Sequence, residues 1–316
     1  MTKPIELLLD AVSAKIYRLL TIFIILFGAI ATGTIGLSLL TRYLRTQQNI
    51  ELQQANNLLT QQKYAPALAA YDRLLKRKKV EKPENDELLT NRGYALLGLN
   101  QYPPALESCT QATSIEPTAA LAWNCRGEAL YYLDRPQDAL AAFQQAIALD
   151  DNNPTWQLNL GRVLQSLERY ESAAASLSKA IAKLESANLN SPKSEKLANA
   201  YNDLGQSLLS LGQDRQALQA FEKALRDQGD SFAPHQGKGI ALYRLGKHNR
   251  AIKTFERILH RTDLTSEQQA INWLYHGISL CQTSKRTNAS KSFESVLKLT
   301  QNPELRKIAQ AGCGIR

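Results

Sequence analysis

From Leu19 to Thr41 the chain carries no charged residue, and Leu19-Leu20-Thr21-Ile22-Phe23-Ile24-Ile25-Leu26-Phe27 is almost wholly apolar, with Arg18 and Arg42 at the borders. A helix of that length, rising about 1.5 Å per residue, spans about 34 Å, enough for a hydrocarbon core of about 30 Å. The pattern predicts one transmembrane helix over 19–41 behind a short flank, 1–18. Ala29-Ile30-Ala31 also has the small-x-small form of a signal-peptide cleavage site. Against cleavage, apolar residues continue through Ile35, Leu37, Leu39 and Leu40. Lys3, Lys15 and Arg18 flank one side, Arg42 and Arg45 the other, so the positive-inside tendency favours a cytoplasmic N-terminus. That predicts a single-pass membrane protein with its remaining residues on the extracytoplasmic side, the cytoplasmic side being the alternative.

Beyond this run, spaced small and large apolar positions recur. Glycines at 93, 127 and 161 stand 34 residues apart, each followed three residues on by leucine and twelve on by alanine. With three short insertions the frame extends to seven copies. Its eighth position holds Ala55, Gly93, Gly127, Gly161, Gly205, Gly239 and Gly277. Position 11 is leucine throughout, from Leu58 to Leu280, and position 20 is alanine throughout, from Ala67 to Ala289. Position 24 holds Tyr71, Cys109, Phe143, Leu177, Phe221, Phe255 and Phe293. Small residues at positions 8 and 20 are what two closely approaching helices require, because a larger side chain would force them apart. Position 24 is expected to fill the space between one repeat and the next.

A 34-residue helix-turn-helix unit with this pattern resembles the tetratricopeptide repeat (TPR). The resemblance covers 48–81, 86–119, 120–153, 154–187, 198–231, 232–265 and 270–303. It departs at position 4, usually bulky, which holds Glu51, Gln157 and His235, and the turn proline at position 32 is present only as Pro117. The fold it implies is all-α, a right-handed superhelical solenoid of about seven repeats. Asn188 to Leu197 interrupts the frame as a loop or as an extra turn of the preceding helix. Residues 304–316 suffice for a short cap through Leu305, Ile308 and Ala309, leaving apolar surface for a partner or a second copy.

Composition changes this picture little. The formal charge is +9, but basic residues imply nucleic acid only when gathered on one face, and here they are scattered. The densest run, Lys76, Arg77, Lys78, Lys79 and Lys82, reads as a solvated inter-repeat loop. Cys109, Cys125, Cys281 and Cys313 show no zinc or redox spacing. The first three are expected as buried free thiols and Cys313 as exposed, with pairing of Cys109 and Cys125 left open.

No enzyme, cofactor or metal site is expected. His235, His248, His260 and His276 lack ligand spacing, and Gly237-Lys238-Gly239 lacks the phosphate-loop spacing. Asn288-Ala289-Ser290 matches a glycosylation acceptor, but Ala289 stands at a buried position.

The resemblance implies instead a concave groove lined by positions 2, 5, 9, 12 and 13 of the first helices. In this sequence these are Thr90, Tyr94 and Leu97, then Asn124, Glu128, Tyr131 and Tyr132. Leu158, Arg162 and Gln165 follow, then Asn202, Gln206 and Leu209, and finally Gln236, Ile240, Tyr243 and Arg244. Tyr94, Tyr131 and Tyr132 would form an aromatic patch beside Glu128 and Arg162, side chains of the kind enriched at interface hot spots. The family's clamp for acidic chaperone tails would have asparagines at Asn56 and Asn91, but its basic positions hold Leu52, Leu121 and Cys125, so that mode is disfavoured. The implied role is a membrane-anchored protein-interaction scaffold or assembly factor. Its expected partners are other proteins, above all subunits of a membrane complex, and membrane lipid through the N-terminal helix, with self-association through the C-terminal end. A secreted envelope- or glycan-associated binding protein after signal cleavage, or an oligomerising structural element, are the alternatives.

Overall fold

Paired helices joined by tight turns build everything described in the computed structural model, which covers residues 33–76, 85–187, 195–227, 231–283 and 286–314. Among the described residues there are α-helices, one short 3-10 turn and no strand. The chain divides into two compact units, Met1–Gln101 and Tyr102–Arg316. The division falls between the two helices of the second repeat.

In the first unit, α1 (Gly33–Thr60), α2 (Tyr64–Lys76) and α3 (Asn85–Gly98) pack around Ala55, Ala67, Tyr71, Leu74, Leu88 and Ala95. Most of the apolar run 19–41 lies outside the described residues, and its last part, 33–41, belongs to the start of α1. Among the described residues no helix is long and apolar enough to cross a membrane. Of the basic run only Lys76, the last residue of α2, is described.

The second unit opens with α4 (Tyr102–Ile115). Five antiparallel pairs follow: α5 (Ala120–Tyr132) with α6 (Pro136–Leu149), α7 (Pro154–Ser166) with α8 (Tyr170–Ala187), and α9 (Glu195–Ser210) with α10 (Asp214–Asp227). Then come α11 (Phe232–Arg244) with α12 (His248–Glu256), α13 (Ser266–Cys281) with α14 (Arg286–Leu299), and a last helix, α15 (Pro303–Ala311). Helix starts are set locally. Asn153 accepts from the Thr155 amide ahead of Pro154, Thr265 and Gln268 form a capping box, and Asn302 accepts from the Glu304 and Leu305 amides. Each arrangement satisfies amides that have no partner inside the helix. Of the inserted segment, 188–194 lies outside the described residues, and α8 is longer than its counterparts at 18 residues.

The turn inside each pair has a feature the repeat pattern had not exposed. Position 15 is left-handed in six repeats, at Gln62, Asn100, Asp134, Glu168, Gly212 and Gly246. The next amide then reaches back to the carbonyl of the position-11 leucine, as from Arg135 to Leu130 (3.0 Å) and from Gln213 to Leu208 (2.8 Å). This is the helix-ending geometry that uses up a terminal carbonyl.

All seven position-20 alanines are fully buried (0% exposed). Position 24 does more than fill space between repeats. It also packs on position 8 of its own repeat: a Cβ on Gly127 would lie 2.6 Å from the Phe143 ring, and one on Gly161 2.6 Å from Leu177. One side chain therefore holds two interfaces, and burying a phenylalanine there contributes about 1.5–3 kcal/mol. From α7 to α12 this makes a continuous core that includes Leu177, Phe221, Leu242 and Phe255.

The cysteine reading requires correction. Cys109 and Cys125 form a disulfide with Cα atoms 5.7 Å apart, Cys281 and Cys313 form another at 5.3 Å, and no described cysteine is free. Both separations suit a disulfide. The first bond joins the successive helices α4 and α5. The second bond ties the turn after α15 to the end of α13. Around it Leu305, Ile308 and Ala309 pack on the cluster of Leu280, Phe293 and Val296. The C-terminal end of the last repeat is thus covered by its own chain.

Candidate functional site

The inner positions of the first helices are mostly engaged with one another. In the first unit Thr90 and Leu97 are buried and Tyr94 is half-buried. The Asn91 amide donates to the Asn56 carbonyl oxygen (3.0 Å), which also accepts from the Tyr71 hydroxyl (2.7 Å). The two asparagines at the chaperone-clamp positions therefore bond to each other, across successive repeats.

The second unit repeats this device. Asn124 is buried and donates to Glu128 Oε1 (2.6 Å), while Asn159 of α7 donates to Asn124 Oδ1 and to Glu128 Oε1, both at 3.0 Å. Burial pushes the Glu128 carboxyl above the usual carboxylate range, opposed by those amide donors and by the charges of Arg162 and Lys196. Arg162 makes an ion pair with Asp203 of α9 (2.8 Å), and Gln165 donates to the Asp203 carbonyl (2.7 Å) and the Ser207 hydroxyl (2.9 Å). Gln236 donates to Asn272 Oδ1 (2.9 Å). Arg244 donates to the Leu209 carbonyl (2.6 Å) and lies 3.5 Å from Asp214. Leu158 and Leu209 are buried; Asn202, Gln206 and Ile240 are partly exposed. Tyr243 meets Tyr275 edge-on at 5.8 Å.

Two of these inner positions are exposed, Arg244 and the aromatic Tyr132. Tyr132 is 54% exposed. Its ring stacks on Tyr102 of α4 with centroids 4.9 Å apart and planes 12° apart, and Tyr131 meets it edge-on at 5.5 Å. Burial raises the Tyr132 hydroxyl pKa, and the Glu128 carboxylate raises it further. Leu121, three turns earlier on the same face of α5, is 43% exposed. Tyr131, Tyr132, Glu128 and Arg162 thus stand together, the grouping the resemblance implies, whereas Tyr94 belongs to the other unit. Tyr102 was missed because it sits on a second helix, at position 17. The signal available was its place in the frame, one repeat before Tyr132.

Models of the tetratricopeptide repeat match residues 52–120 and 202–265, residues 120–153, and residues 154–228. The chain belongs to the tetratricopeptide-repeat family. Small glutamine-rich tetratricopeptide repeat-containing protein 2 of Mycosarcoma maydis is 25% identical to this TPR chain over 122 residues, 39% of the chain and 34% of that relative. The chain therefore spans about a third of that relative's length. Among solved structures, the pilF protein of Pseudomonas aeruginosa superposes with a TM-score of 0.60 at 19% identity, covering 73% of this chain and 98% of that one. PilW, described as a widely conserved type IV pilus biogenesis factor, gives 0.58 at 19% identity, covering 71% and 97%. At such identities the likeness establishes the TPR fold. Proteins of this family generally mediate protein–protein interaction or assembly. The seventh pair, α13 and α14, lies beyond the matched residues yet keeps the small Gly277 against Phe293 and the buried Ala289.

Proposed function

We propose that this chain is a scaffold or assembly factor that captures a peptide or helix of a partner protein on the surface made by Tyr102, Tyr131 and Tyr132. The observation that carries this reading is the exposure of Tyr132 within a stacked ring pair, beside a polar lining whose hydrogen bonds are already made. Held in place by its neighbours, the ring loses little freedom on binding and offers a large apolar face with a hydroxyl at its tip.

The same proposal places the repeats at a membrane through the apolar segment 19–41 and on its extracytoplasmic side, among subunits of a membrane complex. Two features support the side: the pairing of all four cysteines, since disulfides persist in oxidising compartments, and the basic flank Lys3, Lys15 and Arg18.

A photo-crosslinking amino acid placed at Tyr132 of the full chain in native membranes tests the surface, with the same probe at Gln219 of α10 as reference. A discrete adduct from position 132, competed by a peptide of the captured partner, is the expected result. Adducts from 219 alone would move the binding surface. Protease added to right-side-out vesicles should digest the repeats; their survival until detergent is added would place them in the cytoplasm.

A further inference from the structure

The sixth repeat carries a recess whose four cations outnumber their acidic partners among the described residues. Between α11 and α12 lies a cavity of about 180 Å³, lined by Lys238, Arg250, Lys253 and Arg257 over Leu242 and Thr254. A single water needs about 10–15 Å³ of such space, so the recess holds a group many times larger. Among the described residues one carboxylate pairs with its cations. Glu222 of α10 lies 3.3 Å from Lys238 Nζ and 3.4 Å from Arg250 Nη2. Lys253 and Arg257 make no ion pair among the described residues.

Some basic side chains of this unit are met by acids, as Arg162 is by Asp203 and Lys183 by Asp151. Here Arg250 and Lys253 of α12 and Arg257, the residue that caps its C-terminal end, follow one another at intervals of three and four, where like charges repel. An isolated stripe of this kind would be an ordinary solvated face. Two things set this one apart: a fourth cation comes from a different helix, and all four border one recess. Arginine and lysine donors converging from two elements form a cage for oxygen atoms carrying more than one negative charge, with the planar guanidinium able to bond two of them at once.

We infer that the sixth repeat binds a compact, multiply charged oxyanion, a phosphate or diphosphate group, between Lys238 and the Arg250–Lys253–Arg257 stripe. The site is separate from the tyrosine surface and uses none of its residues. Binding there would join α11 to α12 and stabilise the array by linkage.

Titration of the full chain in detergent with inorganic pyrophosphate tests this, with glycerol 3-phosphate as a second probe and sodium chloride of equal ionic strength as reference. Pyrophosphate should bind saturably at one site and raise the melting temperature. Tighter pyrophosphate binding would identify a free multivalent anion, and equal or tighter glycerol phosphate binding a phosphoester. Lys253→Gln combined with Arg257→Gln should weaken binding by about tenfold or more, the loss expected of charge-assisted hydrogen bonds. Lys291→Gln, an exposed lysine on α14, should change it less than twofold, about the scatter of such a measurement. Should the double variant unfold, Lys253→Gln alone supplies the comparison. The inference is overturned by a melting shift no greater than that of sodium chloride, by equal losses in the Lys291 variant, or by tighter binding of a hexaglutamate peptide than of pyrophosphate.

Discussion

The Phe221 ring occupies the space that a Cβ on Gly237 would need. Phe221 is position 24 of the fifth repeat and Gly237 is position 6 of the sixth. The same ring also closes on Gly205 in its own repeat, at 2.6 Å. Cys109 and Cys125, likewise 16 residues apart, hold the equivalent positions three interfaces earlier, between the second and third repeats. A covalent bond there stands where a ring packs elsewhere.

Enlarging the small side of such a contact should therefore be costly. Gly237→Leu, Gly161→Leu and Ala173→Leu are each expected to destabilise the second unit by about 1–3 kcal/mol or more through overpacking. Thermal unfolding followed by circular dichroism reads the loss. Curves superimposable on the parent's would show that the register is misassigned.

Removing either disulfide should also lower stability. In the chain-entropy view, loops of 16 and 32 residues lose freedom worth about 3–4 kcal/mol in the unfolded chain when closed. Cys109→Ala/Cys125→Ala and Cys281→Ala/Cys313→Ala are expected to lower the denaturation midpoint accordingly. Alkylation of the unfolded parent should label no thiol before reduction and all four after it. Four labelled thiols without reduction would remove the disulfides, and with them their support for an extracytoplasmic location.

Position 15 offers a stabilising change. Glu168 adopts φ 56°, where a side chain costs about 1–2 kcal/mol that glycine does not incur. The two repeats with glycine at this position, at Gly212 and Gly246, have the same turn. Allowing for the entropy glycine loses on folding, Glu168→Gly should gain about 0.5–1 kcal/mol. A lower melting temperature for this variant would mean that the Glu168 side chain makes a contact worth more than the backbone relief.

The repeat frame was legible because positions 8, 11 and 20 answer to a steric demand that recurs at fixed spacing, so that Ala173 and Gly161 are set by helix approach alone. The turn was half legible: Gly212, Gly246, Asn100 and Asp134 are residues that tolerate a left-handed backbone, whereas Gln62 and Glu168 are not, and they broke the pattern. The disulfides were hidden because partners 16 and 32 residues apart carry no local motif. The closeness of Tyr131 and Tyr132 followed from their adjacent places in the frame. The hydrogen bonds of the polar inner positions were not legible, because the frame does not show that these positions also face the next repeat. There Asn124, Arg162 and Gln165 find hydrogen-bond partners within the chain.

That polar lining makes a pH-dependent prediction. Burial raises the folded-state pKa of Glu128 above its ordinary value of 4.5, so the native state holds the proton more firmly than the unfolded chain does. The stability contributed by this group is complete below the unfolded value and is lost as pH rises through the folded one. Glu128→Gln keeps an oxygen to accept from Asn124 and Asn159 but cannot ionise. It should match the parent's melting temperature at about pH 4 and exceed it at about pH 8, with the gap opening as pH rises between them. A gap of constant size, or a variant less stable at the higher pH, would mean that the Arg162 and Lys196 charges outweigh burial and hold the carboxylate ionised.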